Sequence, residues 1–174
     1  GTGYNNMLTM AEDNYNYWTS TEGGEVYTLE LVSDRSVTVE RGDTQVLTLL
    51  YNDYSDLGGA HGSYGYTGYC FDTQTGELLT LDKLSSDPEG LRSFLTNYMV
   101  TAVENDDSLQ ERTAGFIPDD DYNAALSALL REGSWYFSSS GMVIFSSLYE
   151  ISSYAAGIIQ FEIPYSELVG RIDE

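Results

Sequence analysis

The only histidine and the only cysteine of this chain lie in one glycine-rich segment, Tyr54 to Asp82. Three glycines flank His61: Gly58, Gly59 and Gly62. Glycine allows positive φ and a close approach of the backbone to another segment, so this run predicts a shaped loop. Because Cys70 is the single cysteine, no intramolecular disulfide can form. The fold must rest on a hydrophobic core, which 174 residues are enough to build.

Two hairpins are predicted around this loop. The first pairs 36–40 with 45–51 across a turn at 41–44, and the second pairs 66–71 with 77–81. Asp72 begins the second turn and Gly76 ends it, as expected for these residue types. Upstream, the pattern predicts a helix within 4–18, a turn at 22–24 and a strand at 26–32.

Two helices are predicted after the hairpins, over about 87–104 and 118–132. Asp87 is a favourable N-cap followed by Pro88 at the first helical position, and Asp119 to Asp121 complement the dipole of the second helix. Strand-like stretches follow at 134–138, 142–149 and 158–163. This order of elements predicts an α+β fold with a mainly antiparallel sheet, β-hairpins and two packed α-helices.

The charge balance excludes several partner classes. The chain has 28 acidic and 7 basic residues, a net charge of −21, which repels nucleic acid and anionic membrane surfaces but attracts a basic protein. No apolar run approaches the roughly 20 residues of a membrane span, so this segment is not expected to insert into a membrane. The chain opens with Gly1 rather than methionine, and we expect any anchor to lie outside it.

No catalytic, metal or cofactor site is predicted. A zinc site needs several His or Cys ligands, and an EF-hand loop from Asp119 would have Ala124 and Leu130 at its glycine and glutamate positions. A His61–Cys70 dyad and a pair of carboxylates stay open as hydrolase alternatives. We expect a structural His61 with its ring bonded to backbone, and a buried, inert Cys70.

Two separated sets of motifs resemble the DUF3298 family. The first set is Tyr54, Gly58-Gly59-Ala60-His61-Gly62, Phe71-Asp72, Thr75-Gly76-Glu77 and Leu79-Thr80-Leu81-Asp82. The second set is Trp135-Tyr136, Val143-Ile144-Phe145, Tyr149-Glu150-Ile151, Tyr154-Ala155-Ala156-Gly157 and Phe161-Glu162-Ile163-Pro164. Residues 1–53 resemble part of the N-terminal domain that accompanies PdaC-type deacetylases. The resemblance implies a DUF3298-like domain over 54–174, packed with 1–53 as one unit.

The resemblance implies a non-enzymatic, extracytoplasmic binding or sensor domain of a bacterial cell-envelope protein, anchored at the cell surface. Similar domains occur in RsiV-type anti-sigma factors, which are receptors for lysozyme, a cationic protein. The expected partner-binding residues are Tyr149, Ser152, Ser153 and Tyr154, together with His61. The alternative is a module that binds carbohydrate or peptidoglycan beside a separate catalytic domain.

Overall fold

The computed structural model describes residues 2–19, 31–58, 60–117 and 121–173. The helices are α1 (Thr2–Thr19), α2 (Pro88–Asn105), α3 (Asp107–Thr113), α4 (Tyr122–Ser127) and α5 (Tyr165–Leu168). The strands are β1 (Val32–Gly42), β2 (Val46–Asp56), β3 (Ser63–Asp72), β4 (Trp135–Phe137), β5 (Gly141–Phe145) and β6 (Gln160–Pro164). Two antiparallel three-stranded sheets result, with orders β1-β2-β3 and β4-β5-β6. The predicted α+β class is confirmed.

The chain forms two compact units. Unit 1 comprises Gly1–Ser36 and Asn52–Gly65, and unit 2 comprises Val37–Tyr51 and Tyr66–Glu174. The predicted boundary between residues 53 and 54 stays a prediction. Among the described residues, no helix has both the length and the apolar content that a membrane crossing needs.

Helix α1 belongs to unit 1 and is largely solvated. Ala11 is buried there, whereas Met10 and Tyr17 are exposed. The Asn14 side-chain amide donates to the Leu57 carbonyl at 2.9 Å. This bond connects α1 to the chain just after β2, so the helix is held within its unit by a polar contact as well as by apolar packing.

Helix α2 supplies one wall of the core of unit 2. It begins where predicted, because the Asp87 carboxylate accepts from the Gly90 backbone N–H at 3.0 Å and Pro88 occupies the first turn. Leu91, Leu95 and Met99 recur at helical spacing and are almost fully buried. Each such side chain stabilises the fold by about 1.5–3 kcal/mol when it leaves water.

The C-terminal sheet supplies the opposite wall. Trp135 pairs with Ile144 across β4 and β5, and Ile144 pairs in turn with Phe161 of β6. All five residues of β5 are buried, as expected for a central strand, while β6 alternates between exposed and buried positions. The largest fully buried side chains of the unit are Leu81, Leu95, Met99, Val103, Leu126, Leu129, Met142, Ile144, Ile151, Ile159, Ile163 and Leu168.

Gly68 brings β3 against the start of β4. A Cβ at Gly68 would collide with the Trp135 carbonyl oxygen, and the Gly68 N–H donates to the Gly133 carbonyl at 2.8 Å. Only glycine fits this backbone approach. The glycine-rich segment therefore fixes how β3 packs on the C-terminal half of unit 2.

Four elements differ from prediction. The strand predicted at 142–149 ends at Phe145 as β5, and residues 146–149 belong to the connection to β6. Helix α4 ends at Ser127, before residue 132, because Leu129 and Leu130 bond three residues back and tighten the chain out of the α conformation. No helix is predicted between the two long ones, but Asp107–Thr113 forms helix α3, which Asp106 caps directly after the end of α2. In the second hairpin, 77–81 makes a single bridge, Phe71 to Leu78, rather than a strand. The predictions at 22–24, at 26–30, at Gly59 and at 118–120 lie outside the described residues.

Candidate functional site

The loop between β5 and β6, residues 146–159, carries four of the five predicted binding residues. Its base is closed within unit 2 by two hydrogen bonds between the same residues, since Ser146 N–H donates to the Ile159 carbonyl and Ile159 N–H donates to Ser146 Oγ, both at 3.0 Å. Ser146 and Ile159 are buried, and so is Ile151 within the loop. The β5–β6 loop is therefore anchored in the core at both ends and at its middle.

An ion pair fixes the first half of the β5–β6 loop. Arg131 donates to both carboxylate oxygens of Glu150, at 2.5 and 2.9 Å, and to Ser147 Oγ at 3.1 Å. Glu150 also accepts from the Ser147 backbone N–H at 2.6 Å. A bidentate arginine–carboxylate pair with further bonds holds a defined geometry. The backbone on both sides of Tyr149 is thus held in place.

Serine side chains and one arginine fix the second half. Ser152 is buried and its hydroxyl donates to the Gly157 carbonyl at 2.7 Å. Ser153 Oγ accepts from the Ala156 N–H at 3.3 Å and caps a short 3-10 turn that begins at Tyr154. Arg112 of α3 donates to the Ala156 carbonyl at 2.8 Å. Ser152 and Ser153 thus have structural bonds inside the loop.

Tyr149 and Tyr154 meet at the outer end of this loop. Their ring centroids are 5.8 Å apart with planes inclined at 32°, within the range of favourable aromatic pairs. Tyr149 is 53% exposed and Tyr154 is half-buried. Tyr149 has φ of 63°, the only positive φ at a non-glycine among the described residues. Left-handed backbone at a bulky residue costs free energy and often marks a functional position.

The structure brings Tyr149, Ser152, Ser153 and Tyr154 together in one loop, but it assigns them different environments. The tyrosines are accessible, whereas Ser152 is buried. Sequence reasoning missed Arg131 and Arg112, which hold the loop from 19 and 44 residues away along the chain. Pairs at such separations leave no local pattern in a sequence.

His61 belongs to unit 1, whereas the β5–β6 loop belongs to unit 2. Its side chain is exposed and its Nδ1 lies 2.9 Å from the Gly62 carbonyl oxygen. The prediction of a ring bonded to backbone in a glycine-rich turn is confirmed. Gly58 has φ of 78°, and a Cβ at Gly62 would overlap the Tyr54 ring. Tyr54, Gly58 and Gly62 thus shape this turn.

Asp72 and Gly76 form the predicted turn after β3. Asp72 Oδ1 accepts from the backbone N–H groups of Gln74 and Thr75 at 2.7 and 2.9 Å, and these bonds lower the pKa of its carboxyl. Gly76 has φ of 73°. Cys70, in the preceding strand, is buried and accepts from the Phe137 N–H at 3.4 Å, and burial raises the pKa of its thiol. A neutral thiol is a poor nucleophile.

The carboxyl groups with shifted pKa values do not have the character of a general acid. The Asp43 carboxyl has a pKa lowered to about 2, first by its bond to Arg41 and then by the Val46 and Gln45 N–H groups. A general acid at neutral pH needs a raised pKa instead. Among the described residues, no group of three His, Cys, Asp or Glu side chains has an arrangement that could hold a metal ion.

Most carboxylates of the chain have no basic side chain to pair with, because 28 acidic residues stand against 7 basic ones. Among the described residues of unit 2, four basic side chains pair with carboxylates: Arg41 with Asp43, Lys83 with Glu77, Arg92 with Asp82 and Arg131 with Glu150. Arg171 lies 3.8 Å above the Phe94 ring centroid. With most of its few cations neutralised in this way, the protein presents a negative field that reaches over about a Debye length, 8–10 Å, at moderate salt.

Comparison with known proteins identifies a family region. Residues 86–166 match the family described as "Protein of unknown function (DUF3298)". This match runs from the N-cap of α2 to the start of α5 and includes the whole β5–β6 loop. No curated protein matches the chain.

Two solved structures share the fold. A DUF3298 family member from Bacteroides fragilis superposes with a TM-score of 0.63 at 20% identity, over 99% of this chain and 63% of that one. A DUF3298 family protein from Pseudomonas aeruginosa superposes with a TM-score of 0.58 at 17% identity, over 82% of this chain and 62% of that one. The chain thus spans less than two thirds of either structure. The family resemblance is confirmed: residues 86–166 match DUF3298, and the chain has the fold of two solved DUF3298 proteins.

Proposed function

We propose that this chain is a non-enzymatic, extracytoplasmic binding or sensor domain of a bacterial cell-envelope protein, and that it captures a cationic protein such as lysozyme. The observation that carries the proposal is the exposed Tyr149 ring, held at φ of 63° and packed 5.8 Å from Tyr154. Tyrosine is enriched where a few residues supply most of the binding energy. A loop fixed before binding also loses less conformational entropy on binding.

Charge and contact have separate roles in this proposal. Glu150 is neutralised by Arg131, so the β5–β6 loop itself does not supply the attraction. The net charge of −21 steers a cationic partner from a distance, and burial of the tyrosine rings then holds it. Steering acts mainly on the association rate, whereas desolvated contacts set the dissociation rate.

The test is a kinetic titration of the chain with a basic lysozyme at about 20, 50 and 150 mM salt. We expect the association rate constant to fall at least tenfold across this range while the dissociation rate constant changes less than twofold. The matched control is the same lysozyme with its lysines acetylated, since acetylation removes the charge and keeps the fold. Absence of binding by unmodified lysozyme at the lowest salt contradicts the proposal for this partner.

A further inference from the structure

A concave surface lies in unit 2, between helices α2 and α4. The groove has a volume of about 540 Å³, within the range of small-molecule sites. Its α2 wall is a stripe at helical spacing that includes Glu89, Ser93 and Asn97, and Asn123 lines it from α4. The eight-residue rise from Glu89 to Asn97 corresponds to about 12 Å along the helix, the scale of a short oligomer rather than of an ion.

The floor of the groove is fixed by bonds within the protein. Arg92 donates to Asp82 Oδ1 through two nitrogens, at 3.1 and 2.9 Å, and to the Leu130 carbonyl at 2.7 Å. The Thr96 hydroxyl donates to the Arg92 carbonyl at 2.9 Å. The charge of Arg92 is thereby offset, and its guanidinium is held in one position between the two helices.

The side chains at the rim of the groove differ from those at its floor in their hydrogen bonding. In the described part of the chain, the side chains of Ser93, Asn97 and Asn123 have no hydrogen bond to another residue. Each asparagine offers two donors and one acceptor, and the serine hydroxyl offers both functions. Beside Glu89 and the paired Arg92, the groove thus has uncharged donors and acceptors contributed by two helices.

We propose that this groove binds an uncharged oligosaccharide through Ser93, Asn97 and Asn123. A sugar hydroxyl both donates and accepts, which matches amide and hydroxyl groups on the rim. An anionic ligand is opposed by the net charge of −21. A peptide is disfavoured because both walls are helical and present no strand edge, and because Leu130, the largest apolar residue of the lining, is buried. This site is separate from Tyr149 and Tyr154, and its success or failure does not decide the lysozyme proposal.

The experiment is an NMR titration of the ¹⁵N-labelled chain with chitotetraose, with cellotetraose and with a capped tetra-alanine peptide, each to about 10 mM. The side-chain NH₂ resonances of Asn97 and Asn123 report directly on the groove. We expect them to shift and approach saturation with at least one saccharide and to stay unmoved with the peptide. The double variant N97A/N123A lacks these reporters, so its binding is followed through the backbone amide resonances of Ser93 and Ala124, which also line the groove, and it is expected to bind saccharide at least tenfold more weakly.

The matched control is N105A, an asparagine-to-alanine change on the same helix but outside the groove. It is expected to bind saccharide like the unchanged chain. Because the groove asparagines are exposed and alanine favours helix, the double variant should retain a native spectrum. The proposal is overturned if neither saccharide moves the groove resonances, if the peptide moves them instead, or if N97A/N123A binds saccharide unchanged. Shifts confined to Tyr149 and Tyr154 likewise overturn it.

Discussion

At the scale of single residues, Tyr149 combines a backbone conformation that costs free energy with a proposed role in partner binding. An L-residue in left-handed backbone costs about 1–2 kcal/mol, and Tyr149 has φ of 63° directly before Glu150, whose carboxylate pairs with Arg131. The cost is explained if the conformation directs the Tyr149 ring outward for contact with a partner.

Two substitutions of Tyr149 distinguish the free-energy cost of its positive φ from the contribution of its ring. Both Tyr149→Gly and Tyr149→Ala remove the contact with Tyr154, but only glycine adopts positive φ without strain. We expect the glycine variant to be more stable than the alanine variant by about 1 kcal/mol in urea unfolding at pH 7. Equal stability, or a less stable glycine variant, would contradict a strained Tyr149.

Asp43 gives the residue-scale prediction for pH. Its folded-state pKa of about 2 lies below the ordinary value of about 3.9, so it adds stability above about pH 4 that is lost as pH falls toward 2. We expect the stability difference between the unchanged chain and Asp43→Asn to narrow between pH 5 and pH 2 in thermal unfolding. A difference that stays constant across this range would mean that the bonds from Arg41 and from the Val46 and Gln45 N–H groups do not lower the Asp43 pKa in solution.

The residue types in the sequence were enough to predict the tyrosines of the candidate site, but not the hydrogen bonds that hold the β5–β6 loop. Tyr149 stands at the end of the strand predicted at 142–149 and Tyr154 in the connection that follows it, and the structure brings the two rings together at one surface. The bonds of Ser152 to Gly157 and of Arg112 to Ala156 depend on three-dimensional packing. No helical or strand periodicity encodes such contacts, so sequence reasoning could not assign these residues their roles.

At the scale of elements, helix α2 was the best predicted part of the chain. Asp87, Pro88 and the apolar spacing of Leu91, Leu95 and Met99 all indicate the same helix, and the structure has it over Pro88–Asn105. Helix α3 was missed, because Asp106 and Asp107 suggest solvated loop and helix N-terminus equally well. In the structure Asp106 Oδ1 accepts from the Ser108 and Leu109 N–H groups, at 2.9 and 3.2 Å.

The caps of α2 and α3 can be tested in parallel. Removing an aspartate N-cap leaves backbone N–H groups without their acceptor, so Asp87→Ala and Asp106→Ala should each lower the free energy of unfolding by about 1 kcal/mol. The controls are Asp87→Ser and Asp106→Ser, which keep a capping oxygen and should lose less. Chemical denaturation gives all four values. Serine variants as unstable as the alanine variants would exclude capping as the cause.

The approach of β3 to β4 gives the second element-scale prediction. In Gly68→Ala the new methyl meets the Trp135 carbonyl oxygen, whereas the Cβ of Gly65→Ala lies 3.5 Å from Asp53 Oδ1 at ordinary contact. We expect Gly68→Ala to lose about 3 kcal/mol or to fail to fold, and Gly65→Ala, in the same strand, to lose less than about 1 kcal/mol. Similar losses in the two variants would show that this contact is not close in solution.

At the scale of the whole molecule, the acidic residues far outnumber the basic residues that could pair with them, 28 against 7. The chain has seven basic residues, and in the part of unit 2 that the structure describes four of them are paired with carboxylates. A chain of this kind attracts cationic proteins in general, so charge alone cannot give specificity. On our account specificity comes from the Tyr149–Tyr154 pair, and removing the rings should abolish retention of the partner while the negative field remains.

The most direct test of the central claim is therefore the affinity of the Tyr149→Ala/Tyr154→Ala variant for a basic lysozyme at about 50 mM salt. The control is Tyr69→Ala, which removes an exposed tyrosine of unit 2 from a different surface. We predict that the double variant associates at nearly the unchanged rate but dissociates at least 100-fold faster, a loss of about 2.7 kcal/mol. The control should bind like the unchanged chain. If the double variant dissociates as slowly as the control, the Tyr149–Tyr154 pair is not the binding site.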